Sequence, residues 1–147
     1  MQKYNNRSEV EEKYKWDLTE FFKSDDEYNK SFKECEELIN KLKDYKGCTK
    51  NNKSLLEFLE LDIKTSALLE DLYVYAFLIN DIELGNSKSI ERKSKAENLI
   101  SKYSYNTSFF APELLSLSKK DYNNLYNDNT LDNFKDGLDK IYREKDH

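Results

Sequence analysis

The stretch LYVYAFLI, residues 72–79, contains no charged side chain and no strongly polar one. Two turns of helix without a polar face must be covered on several sides by other elements. We therefore expect a helix near residues 64–84 at the centre of the fold. It either continues without interruption from about Ser54 or bends near residues 62–64.

Local start and stop signals predict further helices on both sides of this stretch. Ser24–Glu27 (SDDE) and Ser54–Glu57 (SLLE) match the capping box, in which a serine oxygen and a glutamate carboxylate cover free N–H groups of the first turn. An apolar stripe at helical spacing follows the first box and is formed by Tyr28, Phe32, Cys35, Leu38, Leu42 and Tyr45. Gly47 fits the end of that helix, and Gly85-Asn86 predicts a turn before a helix from about Ser87 to Ser108.

Shorter helices are predicted toward the C-terminus. Pro112 suits the first turn of a short helix, and Ser118–Asp121 resembles another N-terminal cap. The last helix presents an apolar face formed by Leu131, Phe134, Leu138, Ile141 and Tyr142. No alternating segment indicates a strand. The sequence thus predicts an all-α, single-domain fold, an elongated bundle of about five to seven helices over residues 14–147, preceded by a flexible N-terminus at residues 1–13.

Composition and charge argue against several classes of function. The 147 residues fit one domain, and 24 basic against 29 acidic side chains leave a net charge of −5. The sequence lacks the basic stripe that is typical of nucleic-acid-binding proteins. The longest apolar run falls far short of the ~20 residues of a membrane span, and the N-terminus lacks the apolar segment of a signal peptide. We expect a soluble, cytoplasmic protein with no nucleic-acid or membrane partner.

Several acidic residues could bind a metal ion, but a structural role explains each of them better. Asp25, Asp26 and Glu27 belong to a helix first turn, where negative charge is favourable, rather than to a metal site. Asp81 and Glu83 lack the further oxygen ligands of a calcium loop, and we expect them to be solvated.

Aromatic and thiol side chains receive the same interpretation. Four tyrosines could line a peptide groove, but we expect them to fill the core instead; they are Tyr73, Tyr75, Tyr103 and Tyr105. Cys35 and Cys48 are expected to be reduced, with Cys35 acting as a small buried hydrophobe. The only histidine, His147, has no partner in sequence. No catalytic, cofactor-binding or metal residue is therefore assigned.

Three short segments occur in a fixed order: YKWDLT at 14–19, LYVYA at 72–76 and FFAPELL at 109–115. In this order the chain resembles the N-terminal region of the oligoendopeptidase F family of zinc peptidases. The chain departs from the family in two places. The family often has an acidic, threonine-rich loop where this chain has residues 81–86, and it usually has proline where this chain has Asp146.

The resemblance implies an all-α enzyme whose internal channel admits short peptides and excludes folded proteins. Such an enzyme holds zinc with His-Glu-x-x-His on a helix. That motif is absent here, and the resemblance places it several hundred residues farther on. It therefore implies a non-catalytic domain that helps to wall the substrate channel. Its partners would be the missing catalytic domain and short peptides, and zinc would bind only in the full-length enzyme.

Two alternatives stay open at this point. The chain could instead be a stand-alone helical interaction module that derives from the family and lacks enzymatic activity. Apolar side chains that face a missing portion could also produce a weak homodimer, with Tyr103–Phe110 and the last helix as contributors. Otherwise the same residues close the domain's own core.

We predict that the purified chain hydrolyses no peptide and binds no stoichiometric zinc, because it has a single histidine and no His-Glu-x-x-His motif. A quenched fluorescent peptide and metal analysis by mass spectrometry would test this. Hydrolysis that a chelator abolishes, in a preparation free of contaminating peptidase, would contradict the prediction.

Overall fold

The computed structural model describes residues 17–146, and in this range it contains six α-helices and no strand. The helices are α1 (Asp25–Leu42), α2 (Asn52–Ile82), α3 (Ser87–Thr107), α4 (Phe110–Leu115), α5 (Lys119–Tyr126) and α6 (Lys135–Arg143). Short 3-10 turns occur among them, including Lys43–Tyr45, Cys48–Lys50 and Asn129–Phe134. The all-α prediction with five to seven helices is confirmed, whereas the predicted N-terminal segment 1–13, Trp16 and His147 lie outside the described residues.

The chain divides into two compact units, neither of which is continuous in sequence. Within the described residues, the first unit combines residues 17–36 with Ser66–Lys102. The second unit combines Glu37–Thr65 with residues 103–146. The helices α1, α2 and α3 each contribute residues to both units.

Side-chain caps fix where the first two helices begin. The Ser24 hydroxyl accepts a hydrogen bond from the Glu27 N–H at 3.2 Å, and the Glu27 carboxylate accepts one from the Lys23 N–H at 2.8 Å. The first capping box is therefore confirmed. The second is wrong: α2 begins at Asn52, and the Asn51 side chain accepts the Ser54 N–H at 3.1 Å. Asparagine caps as well as serine does, so the helix begins about one turn earlier.

Helix α2 is continuous through residues 62–64, where a bend was one alternative. It ends at Ile82, two residues before the predicted end. Gly85 has a φ of 82°, in the left-handed region that glycine adopts most easily. The Asn86 side chain then accepts the N–H groups of Lys88 and Ser89 at 2.9 and 3.2 Å and caps α3, which begins at Ser87 as predicted.

In the first unit, the apolar stretch 72–79 has no solvent-exposed residue. Leu72 and Ala76 are fully buried, and Tyr75 is 7% exposed. The Tyr75 ring stacks on Tyr28 with centroids 5.2 Å apart and meets Phe22 edge-on at 5.3 Å. The remaining members of the stretch, among them Phe77, are half-buried. The stretch is therefore deeply buried on the face that carries Leu72, Tyr75 and Ala76 and only partly covered on its other sides, which is less cover than the sequence predicts.

In the second unit, the core surrounds Phe58 on α2, which is 1% exposed. Its ring lies 6.0 Å from Tyr45, 5.4 Å from Phe109 and 4.9 Å from Phe110, measured between centroids. Most of the residues invoked for a homodimer are part of this core or pack against it, namely Tyr103, Phe109, Phe110, Phe134, Leu138 and Ile141. The structure therefore supports the alternative that they close the protein's own core.

One carboxylate connects distant segments of the second unit. The Gly47 N–H donates to both oxygens of Glu113, at 2.9 and 2.8 Å, and the Thr49 hydroxyl donates at 3.2 Å. Gly47 has a φ of 90°, which favours glycine. Hydrogen bonds to a charged group contribute roughly 1.5–3 kcal/mol, about twice the usual amount. This carboxylate ties α4 to the connection between α1 and α2.

We predict that Tyr75→Asp prevents folding, because an unpaired buried carboxylate costs several kcal/mol against a total stability of about 5–15 kcal/mol. The apolar stretch in the sequence predicts the same outcome for Phe77→Asp, but the structure predicts a smaller loss of stability for that variant. Phe77 is half-buried, and the Lys93 ammonium lies 4.5 Å from its ring centroid. Circular dichroism and thermal melting would compare the variants. Unchanged melting of Tyr75→Asp would contradict the packing described here.

Candidate functional site

A groove in the first unit is bordered by α1 and α3 and contains two pockets. The larger has a volume of about 490 Å³, and α1 lines it with Asp25, Tyr28, Asn29 and Phe32. From α3 come Lys88, Glu91, Arg92 and Lys95. The smaller pocket, of about 290 Å³, shares Phe32 and Lys95 and continues to Glu36 and Lys102. Because these positions recur every three or four residues, one face of each helix lines the groove.

Arg92 is the most constrained charged group of the groove. Its guanidinium carbon lies 5.3 Å from the Tyr28 ring centroid and 5.8 Å from that of Tyr75. Its Nη2 donates to the Asp25 carboxylate at 3.1 Å. The Arg92 side chain is 18% exposed, whereas that of Asp25 is 73% exposed. The aromatic faces thus hold the guanidinium in place, and Asp25 is a surface partner.

Tyr28 lines the same pocket and is 3% exposed. Its hydroxyl is buried and has no hydrogen-bond partner among residues 17–146. Burial raises the pKa of Tyr28 to about 12, although Arg92 opposes the shift. The hydroxyl is therefore neutral at physiological pH, and it is a polar group that the fold leaves unsatisfied.

The charges of the larger pocket do not cancel. Lys95 pairs with Glu91 at 2.8 Å, and Arg92 pairs with Asp25. Lys88 is exposed and adds a third cation against two carboxylates. The pocket therefore carries one net positive charge and can attract a small anion.

The acidic residues considered for metal binding lie in four different settings. Asp25 pairs with Arg92, Glu27 caps α1, and Asp81 is exposed. Glu83, which we expected to be solvated, instead accepts a hydrogen bond at 2.7 Å from the hydroxyl of the buried Ser89. Sequence spacing missed this contact because it crosses the α2–α3 turn. Within residues 17–146, no group of three or more His, Cys, Asp or Glu side chains comes together to hold a metal.

The four tyrosines considered for a peptide groove do not share one environment. Tyr75 belongs to the core of the first unit, as predicted, and Tyr73 is half-buried against Phe77. In the second unit, the Tyr103 hydroxyl donates to Asp62 at 2.6 Å, and burial raises the pKa of both groups. Tyr105 is 80% exposed, so its assignment to the core is wrong.

The prediction that both cysteines are free thiols is confirmed, and Cys35 is fully buried as expected. Burial raises the pKa of each thiol to about 12. Neither group is therefore an activated nucleophile, which would need a lowered pKa.

Sequence reasoning did not single out Arg92. The available signal was the spacing of Lys88, Arg92 and Lys95, which places three cations on one face of α3. The contact with Asp25, 67 residues away, could not be read from that spacing. None of the described helices combines the length and the apolar character needed to cross a membrane.

Comparison with known proteins shows similarity to peptidases over nearly the whole chain. The chain is 37% identical over 145 residues to the group B oligopeptidase PepB of Streptococcus agalactiae serotype III, strain NEM316. It is 31% identical over 145 residues to the plasmid-encoded oligoendopeptidase F of Lactococcus lactis subsp. cremoris. Each match covers 97% of this chain and 24% of the relative. No protein-family model matches the chain.

A solved structure shares the fold. The crystal structure of a candidate peptidase from Chlamydophila abortus superposes with a TM-score of 0.82 at 25% sequence identity. The match covers 95% of this chain and 24% of that one. The chain thus spans about a quarter of the length of the relatives that it matches.

We predict that Arg92→Ala lowers the free energy of unfolding by about 1–2 kcal/mol, because it removes packing against two aromatic rings. Asp25→Asn should lower it by less than about 1 kcal/mol, since an exposed ion pair contributes little. Urea denaturation of both variants would measure the difference. Equal losses would show that the ion pair, rather than the aromatic contacts, holds Arg92.

Proposed function

We propose that this chain, which belongs to the oligoendopeptidase F family, is the non-catalytic N-terminal helical domain of a zinc metallopeptidase that cleaves short peptides. In this proposal it helps to wall the channel that leads to the active site, in the cytoplasm. Zinc and the catalytic residues belong to the rest of the enzyme.

The match with the relatives carries the proposal. Two peptidases align with 97% of this chain but only 24% of their own length, so most of each relative has no counterpart here. The 147 residues contain no His-Glu-x-x-His motif, which a zinc peptidase of this family needs. These facts together favour a domain that shapes access to the active site over one that performs the chemistry.

The fold suits a wall that must stay closed. Apolar side chains on the second half of α2 are covered in the first unit, and those on its first half are covered in the second unit. The Glu113 carboxylate further restrains the connection between α1 and α2. A wall that discriminates by size needs such rigidity, because local opening would admit larger substrates.

A second candidate function is a stand-alone interaction module. The groove on α1 and α3 favours it, since a net positive pocket with aromatic walls can bind a ligand without a catalytic domain. We do not extend either proposal to a homodimer, because most of the apolar residues that suggested one pack against the core of the second unit.

Reconstitution would test the proposed role. The Streptococcus agalactiae relative would be produced without the region that matches this chain, and this chain would be added as a separate polypeptide. We expect the two to associate and to restore chelator-sensitive hydrolysis of a quenched octapeptide, with little hydrolysis of a folded protein. Tyr75→Asp, which should not fold, is the matched negative control.

The reading frame after His147 separates the two candidates. Continuation to a His-Glu-x-x-His motif favours the domain of a peptidase, whereas a natural stop favours the module. Failure of this chain to associate with a folded, zinc-loaded relative would count against the wall function.

A further inference from the structure

We propose that the groove on α1 and α3 binds a peptide through one of its carboxylates, and that Arg92 is the group that receives it. This site goes beyond the proposed wall function. It uses only residues of the first unit, so it can be tested without a catalytic domain.

Arg92 is prepared for such a ligand. The stacked rings of Tyr28 and Tyr75 lie 5.3 and 5.8 Å from its guanidinium, and its side chain is only 18% exposed. A guanidinium has five N–H donors in a rigid plane that matches a carboxylate. Among the described residues it makes one hydrogen bond, to Asp25, so donors are left for a second carboxylate.

The contact with Asp25 shows that a carboxylate can reach Arg92. The exposure of Asp25 indicates that a ligand can displace its carboxylate. Its side chain is 73% exposed, and its contact with Arg92 uses a single oxygen at 3.1 Å. Such a pair contributes little when one partner is well solvated, because water competes for the exposed Asp25 carboxylate. A ligand that engages the guanidinium with both oxygens gains more than the loss of the Asp25 contact costs.

The remaining walls suit a carboxylate that is attached to a peptide. The larger pocket has one net positive charge, which attracts an anion. Phe32 lies at the junction of the two pockets and offers an apolar surface to a neighbouring side chain. The volume of about 490 Å³ lies within the usual range for small-ligand sites.

Tyr28 contributes its ring, rather than its hydroxyl, to this site. It lines the pocket and is 3% exposed, and its ring lies against the Arg92 guanidinium at 5.3 Å. The hydroxyl is itself buried and has no hydrogen-bond partner among the described residues, so it is not accessible to a ligand in the groove.

Titration by nuclear magnetic resonance of the labelled chain would test the site with three peptides. Acetyl-Ala-Ala-Phe with a free C-terminus offers a terminal carboxylate, and acetyl-Ala-Glu-Phe amide offers a side-chain carboxylate. Acetyl-Ala-Ala-Phe amide offers neither. We expect saturable shifts of groove amides with one or both acids and none with the neutral peptide. The acid that binds identifies the source of the carboxylate.

Variants assign the binding to Arg92. We expect R92K to weaken binding about tenfold, because lysine lacks the planar fork, and D25N to strengthen it about threefold by removing the competing carboxylate. K88Q removes an exposed cation of the pocket and should weaken binding about threefold without affecting the fold. K93Q is the matched control: Lys93 neighbours Arg92 but contacts the Phe77 ring and does not line the pocket, so affinity should not change.

Three results would overturn the proposal. The first is that the neutral amide peptide binds as tightly as the acidic peptides. The second is that both R92K and K88Q leave the affinity unchanged. The third is that inorganic phosphate saturates the same shifts at a lower concentration than either acidic peptide. If R92K does not fold, the affinities of K88Q and D25N test the proposal in its place. None of these results depends on whether the chain associates with a catalytic domain.

Discussion

The structure depends on covering the apolar side chains of α2, a helix of 31 residues that contributes to the cores of both units. Its first half places Leu55, Phe58 and Leu59 in the core of the second unit. Its second half places Leu72, Tyr75 and Ala76 in the core of the first. These apolar side chains are unfavourable in water, so the residues around them must supply large apolar surfaces. The many aromatic side chains of this chain meet that need in both units.

Local capping and turn rules made the helices predictable, but the same rules do not predict contacts between residues that are distant in sequence. The Ser24–Glu27 box, the Gly85-Asn86 turn and the Ser118 cap act within four residues, and each occurs as expected. By contrast, the hydrogen bond between Glu113 and Gly47 joins residues that are 66 positions apart in the sequence. The bond between Arg92 and Asp25 joins residues that are 67 positions apart. No spacing rule links such pairs. The misplaced start of α2 has another cause, since Asn51 and Ser54 are both good caps and only the fold selects between them.

Two of the three segments that carry the family resemblance, 72–76 and 109–115, are structural in this chain. Tyr75, within the 72–76 segment, stacks on Tyr28. Phe109 and Phe110, within the 109–115 segment, surround Phe58, while Glu113 binds the Gly47 N–H. The resemblance therefore identifies a fold rather than a set of reacting groups. The groove lies apart from those segments except where Tyr75 supports Arg92, so its charge pattern is information that the resemblance does not contain.

The two buried thiols give each unit its own chemical reporter. Cys35 belongs to the first unit and Cys48 to the second, and they are 0% and 3% exposed. A thiol with a pKa near 12 is almost never a thiolate, so a disulfide reagent reacts only after local opening exposes the sulfur to water. Labelling rates at the two positions therefore measure how often each unit opens. Equal rates would identify one cooperative folding unit, and unequal rates would rank the two by local stability.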